Sequence, residues 1–79
     1  MAGKRNTWWV SYLFEYSYYD SEEKEWFEES DFDAGRFYCL KKDIPKEVRK
    51  TVEEGLVGET YKDLVITISD QYITTDFEV

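Results

Sequence analysis

Apolar residues recur at every second position near the start of the chain. Trp8, Val10, Tyr12, Phe14, Tyr16 and Tyr18 occupy the even positions, while Thr7, Ser11, Glu15 and Ser17 fall among the odd ones. A period of two over this length predicts a long strand from Thr7 to Tyr19. The odd side also carries Trp9, Leu13 and Tyr19, so it is only half polar. That mixture predicts a central strand or a second apolar surface.

The next stretch admits two readings. Asp20-Ser21-Glu22-Glu23 suits a hairpin turn that returns as a strand through Trp26 and Phe27. Alternatively, Asp20 or Ser21 caps a short helix with acids in its first turn. The hairpin is preferred, although like charges facing one another along it would be costly without a positive neighbour. A further strand is expected from Gly35 to Lys41, with Phe37 and Cys39 on one side and Tyr38 and Leu40 on the other.

Asp43-Ile44-Pro45 then opens a helix, because proline suits the first helical position and disfavours helical geometry in the residue before it. Ile44, Val48, Val52 and Leu56 recur every fourth residue and make one apolar stripe. Lys46, Arg49, Lys50, Glu53 and Glu54 are left facing water, and Gly55 or Gly58 ends the helix. Leu64, Ile66 and Ile68 alternate with Val65, Thr67 and Ser69. After Asp70-Gln71 the apolar phase moves to Ile73, Phe77 and Val79. Such a flip requires a turn or a bulge, giving either a strand pair or one long bulged strand.

The expected fold is therefore α+β: an antiparallel sheet of three to five strands with one helix packed on one face. Residues 1–79 form a single domain, with residues 1–6 as a flexible N-terminus. Core candidates are Trp8, Val10, Tyr12, Phe14, Phe37, Val48, Val52, Leu64, Ile66 and Ile68.

Composition sharpens this picture. The 79 residues are 42% hydrophobic and 19% aromatic, which argues against simple disorder. No stretch approaches the ~20 apolar residues of a membrane span. Met1 to Arg5 runs into Asn6 and Thr7 rather than into an apolar segment, so no secretory leader is expected and a cytoplasmic location is. The net charge of −8 is concentrated. Residues 1–19 sum to +1, residues 20–33 to −7 and residues 34–79 to −2.

Catalysis and cofactors find little support. There is no histidine, the commonest general base. The single Cys39 lies in an apolar strand context that suits a buried structural thiol and excludes an internal disulfide. Asp31-Phe32-Asp33-Ala34-Gly35 begins like an oxygen-ligand loop, but Arg36 and Lys42 stand where a calcium loop needs Gly and Glu. We expect no enzyme activity, no cofactor and no metal. Arg36, Lys41, Lys42, Lys46, Arg49 and Lys50 form a basic cluster, yet Asp43 and Glu47 interrupt it and the overall charge opposes direct nucleic-acid binding.

The acidic run is the most informative segment. Charge runs usually serve solubility, but here Trp26, Phe27 and Phe32 are interleaved with the acids. A strand carrying carboxylates at every second residue spaces them ~6–7 Å apart. That spacing is close to the separation of phosphates along a nucleic-acid strand, so the run has the character of a DNA mimic. The expected partner-binding residues are Glu22, Glu23, Glu25, Trp26, Glu28, Glu29, Asp31 and Asp33. The expected partner is a protein with a basic, nucleic-acid-binding surface, reached by electrostatic steering.

Small, acidic, aromatic-rich single-domain chains of this type resemble phage-encoded inhibitors of bacterial defence, the anti-CRISPR and anti-restriction proteins. The resemblance is one of type and carries no residue roles. It implies stoichiometric binding that blocks a nucleic-acid-handling complex. The competing expectation is a small accessory or adaptor domain that binds a protein, or itself as a homodimer, through an apolar sheet face including Trp9 and Leu13. In that case the acids only solubilise.

Overall fold

A computed structural model describes residues 3–74. Four principal elements follow one another: β1 (Asn6–Asp20), β2 (Glu25–Cys39), α1 (Ile44–Gly55) and β3 (Tyr61–Ile73). They form an antiparallel sheet in the order β2-β1-β3, so the alternating segment is the central strand. β2 and β3 both run antiparallel to β1 and hence parallel to each other. The chain passes from one edge to the other through α1, which covers one face.

The alternation of β1 decides which face. Its even residues Trp8, Val10 and Tyr12 are buried with Cys39 and with Ile44, Val48, Val52 and Leu56 of the helix. All four positions of the predicted helical stripe are thus in the core. Phe14, Phe37, Leu64, Ile66 and Ile68 are half-buried against that core rather than enclosed by it, because they lie towards the margins of what one helix can cover. The Trp8 indole N–H donates to the Cys39 carbonyl over 3.2 Å, satisfying both groups inside. Burial pushes the Cys39 thiol above its ordinary pKa, helped by Glu47 and Asp43 and opposed by Arg5.

Helix α1 is preceded by a 3-10 turn at Lys41–Asp43 and has Pro45 in its first turn. The Asp43 side chain makes no capping hydrogen bond. The Leu56 N–H still reaches the Val52 carbonyl at 3.1 Å, and Gly58 at φ +94° reverses the chain in a conformation that side chains disfavour. On the outer side, Arg49 and Glu53 pair at 3.2 Å.

One expectation needs correction, and one open alternative is decided. The segments returning through Trp26 and Phe27 and running from Gly35 to Lys41 are one 15-residue strand, paired with β1 along its whole length. Asp31 to Gly35 is therefore extended backbone rather than a loop, and the strand stops at Cys39 rather than Lys41. The phase flip near Asp70 is a bulge in one strand, not a second strand. Ser11 pairs with Asp70 and Tyr12 with Ile68, which leaves Ser69 as the extra residue. Its hydroxyl donates to the Ser11 carbonyl at 3.1 Å. Phe77 and Val79 lie outside the described residues, as do the first two residues of the expected flexible N-terminus; β1 already begins at Asn6.

Candidate functional site: the acidic hairpin

The hairpin joining β1 to β2 turns through Ser21–Lys24. The Asp20 carboxylate accepts from the N–H groups of Glu22 and Glu23 at 2.9 and 3.1 Å. The Lys24 N–H donates to the Asp20 carbonyl at 2.7 Å, and Lys24 adopts a left-handed φ of 59°. An aspartate at that position therefore organises the turn through its side chain. Glu22 and Glu23 project from the tip, exposed.

Register sorts the remaining site residues between the two faces. Glu25, Glu29, Asp31 and Asp33 lie opposite Asp20, Tyr16, Phe14 and Tyr12, on the face that carries the helix. Trp26 and Glu28 lie opposite Tyr19 and Ser17, on the other face. The eight residues thus make a turn, a track and an opposite pair, not one continuous surface. All eight are exposed.

The track is the best-defined part. Glu29, Asp31 and Asp33 occupy alternate positions, about 6.6 Å apart along a strand. Phe27 takes the place between Glu25 and Glu29, so the run of alternating carboxylates is three residues long. Beside them runs an aromatic ladder. Phe37, Tyr12, Phe14, Tyr16 and Tyr18 succeed one another at centroid separations of 6.1–6.4 Å, and Phe27 follows at 5.8 Å. Asp31 and Asp33 form one wall of a shallow groove of about 250 Å³, with Tyr12, Phe14 and Tyr16 as floor and Thr51, Val52, Gly55 and Leu56 as the helical wall.

The groove is electronegative. Burial raises the pKa of the Tyr12 hydroxyl, and Asp33 raises it further. Tyr16 is raised by burial and then by Glu29, Glu59 and Asp31. Among the described residues the one ion pair is Arg49–Glu53, so none of their bases pairs directly with the track.

β2 is also an edge strand. The Tyr19 N–H donates to Thr60 and the Thr7 carbonyl accepts from Thr74, so odd residues of β1 turn their backbone towards β3 and even ones towards β2. Even residues of β2 accordingly turn theirs outward. Asp31 takes the Phe32 N–H at 3.0 Å and Asp33 takes the Ala34 N–H at 2.8 Å. The carboxylates thereby blunt an edge that would otherwise recruit another strand.

Trp26 packs edge-on against Tyr19 at 5.4 Å, and the Lys62 ammonium lies 4.2 Å over its ring. Sequence reasoning grouped Trp26 with the acids because they are neighbours in the chain; alternation leaves it with Glu28 and sends Glu25, Glu29, Asp31 and Asp33 to the other face. It named Phe32 among the interleaved aromatics but assigned neither Phe32 nor Tyr38 to an exposed face opposite the helix. Both point away from the helix, and the signal for that was their parity relative to Phe37 and Cys39. No helix among the described residues is long and apolar enough to cross a membrane. No known protein family, curated protein or solved structure matches this chain.

Proposed function

We propose that this protein is a non-catalytic inhibitor that uses the carboxylate track of β2 to occupy the basic groove of a nucleic-acid-handling protein. The resemblance to phage-encoded anti-CRISPR and anti-restriction proteins gives the setting: the cytoplasm of a bacterial host, and a defence complex as target. The observation that carries this reading is the alternate placement of Glu29, Asp31 and Asp33 on an edge strand, exposed and unpaired with any base among the described residues. Concentrated like charge opposes folding, and a basic partner relieves that repulsion. The aromatic floor beside Asp31 and Asp33 suits an inserted arginine, which stacks on rings while its guanidinium meets carboxylates.

The test is capture from bacterial lysate at low and high salt, comparing the native chain with the triple variant Glu29→Lys, Asp31→Lys, Asp33→Lys. Retention of a nucleic-acid-binding protein only by the native chain and only at low salt, with release by added double-stranded DNA, is the expected result. Equal retention by both chains at both salts refutes the reading. An adaptor role is favoured by a different observation, the exposed aromatic face described next.

A further inference from the structure

The sheet face opposite α1 is apolar at its centre and uncovered. Trp9 and Leu13 on β1 are half-buried. Around them Phe32 is 68% exposed, Tyr38 69%, Val65 53% and Tyr72 51%. Three strands and the rows from Thr7 to Tyr19 span about 14 by 40 Å, a projected area of about 560 Å². Side-chain relief brings this near the ~800 Å² that each partner buries in a standard interface. A monomer seldom leaves a cluster of exposed aromatic and aliphatic side chains of this kind without a use.

We propose that this face binds a second copy of the chain, giving a face-to-face dimer whose twofold axis lies along the row Phe32–Leu13–Thr67. The register makes the face complementary to itself about that row. Leu13 pairs with Phe32 on one side and Thr67 on the other. On β2, Arg36 and Glu28 stand four residues either side of Phe32 and share its face. A half-turn about the row places Arg36 over Glu28 of the second copy, and the second copy's Arg36 over Glu28. Six residues out, Tyr38 meets Trp26 of the second copy in the same way. Leu13 and Phe32 meet their own equivalents at the axis, as an isologous contact requires.

Stacked sheets lie about 10 Å apart and rotate by about 30° relative to each other. Some 13 Å from the axis, that rotation displaces Arg36 by about 7 Å, within the combined reach of an arginine and a glutamate. The mixed charges of the face (Arg36 and Lys62 with Glu15, Glu28 and Asp70) suit a second copy better than a nucleic acid, which the overall −8 repels. The dimer leaves Glu29, Asp31 and Asp33 on its outer surfaces, so the proposal stands independently of the inhibitor reading.

Sedimentation equilibrium from micromolar to about 0.5 mM chain tests it, across the range in which weak dimers form. The native chain is expected to dimerise. Phe32→Glu is expected to weaken association by about 100-fold while far-UV circular dichroism stays unchanged, because it buries two facing carboxylates. Arg36→Glu sets like charges together and weakens association by about tenfold; adding Glu28→Arg restores the pairs and the affinity. Should Phe32→Glu fail to fold, the charge exchange still decides. A native chain that stays monomeric throughout overturns the proposal. So does a dimer indifferent to Arg36→Glu, or one that the double exchange fails to restore.

Discussion

The two ends of the β1–β2 hairpin are made of similar residues but held by different forces. At the root, Trp8, Val10 and Tyr12 lie beneath α1 and are buried. At the tip, Tyr18 and Phe27 pack on each other and on Tyr16, the last ring still in contact with the core, and stay half-exposed. The geometry explains the contrast. Twelve helical residues span about 18 Å, whereas the fifteen of β1 span about 50 Å. One helix covers roughly a third of the strand, and beyond it the sheet must stabilise itself by cross-strand pairs. The charge crosses this division: Glu22, Glu23 and Glu25 lie at the open tip, while Asp31 and Asp33 line the groove beside the helix. A short helix on a long sheet thus separates a region that holds the fold from one that rests on cross-strand pairs.

The largest effect that would sharpen this contrast is a core truncation. Ile44→Ala empties a fully buried position and should destabilise the chain by about 3 kcal/mol, read as a lowered urea midpoint. Phe27→Ala at the tip should cost nearer 1 kcal/mol, since cross-strand aromatic pairs contribute about that much. Equal losses would remove the distinction between root and tip.

Next in size is local opening. Amide exchange should be slowest at Val10 and Tyr12 and several orders of magnitude faster at Tyr18 and Phe27. Uniform protection along β1 would show that the tip unfolds only with the root. Asp20→Ala, which removes the acceptor for two turn N–H groups, should cost about 1 kcal/mol, measured by thermal melting.

The smallest effect is the dependence on high pH. Tyr12 and Tyr16 have pKa values raised by folding, so the native state holds their protons more tightly than the unfolded chain does. Stability is complete below the ordinary tyrosine value near 10 and is lost as pH rises through the folded values. The urea midpoint should therefore fall as the pH rises above about 10, and Tyr12→Phe with Tyr16→Phe should flatten that fall. An unchanged slope in the double variant would place the alkaline sensitivity elsewhere, with Cys39 the next group to replace.

Much of this architecture is written in local patterns. The alternation around Tyr12 and the four-residue stripe from Ile44 to Leu56 are periodic signals, and both name the buried side correctly because burial follows from which side of a strand or helix a residue occupies. The interruption at Asp70-Gln71 marks the bulge for the same reason. The candidate site was less legible. Asp31-Phe32-Asp33-Ala34-Gly35 is turn-like in composition, and only pairing with β1, residue for residue, holds it extended. Chain proximity put Trp26, Glu28 and Asp31 together, whereas the pleat sends the first two and the third to opposite faces.

The sequence by itself determined the strand and helix periods, the apolar sides, the turn at Asp20 and the position of the charge. Tertiary structure decided that β1 is central, that the acidic strand is an edge, and which aromatics the helix hides. Periodicity is a property of neighbours along the chain, whereas strand order and coverage depend on segments far apart in sequence meeting in space. The root of the hairpin is buried because α1, which begins 24 residues after β1 ends, folds back over it.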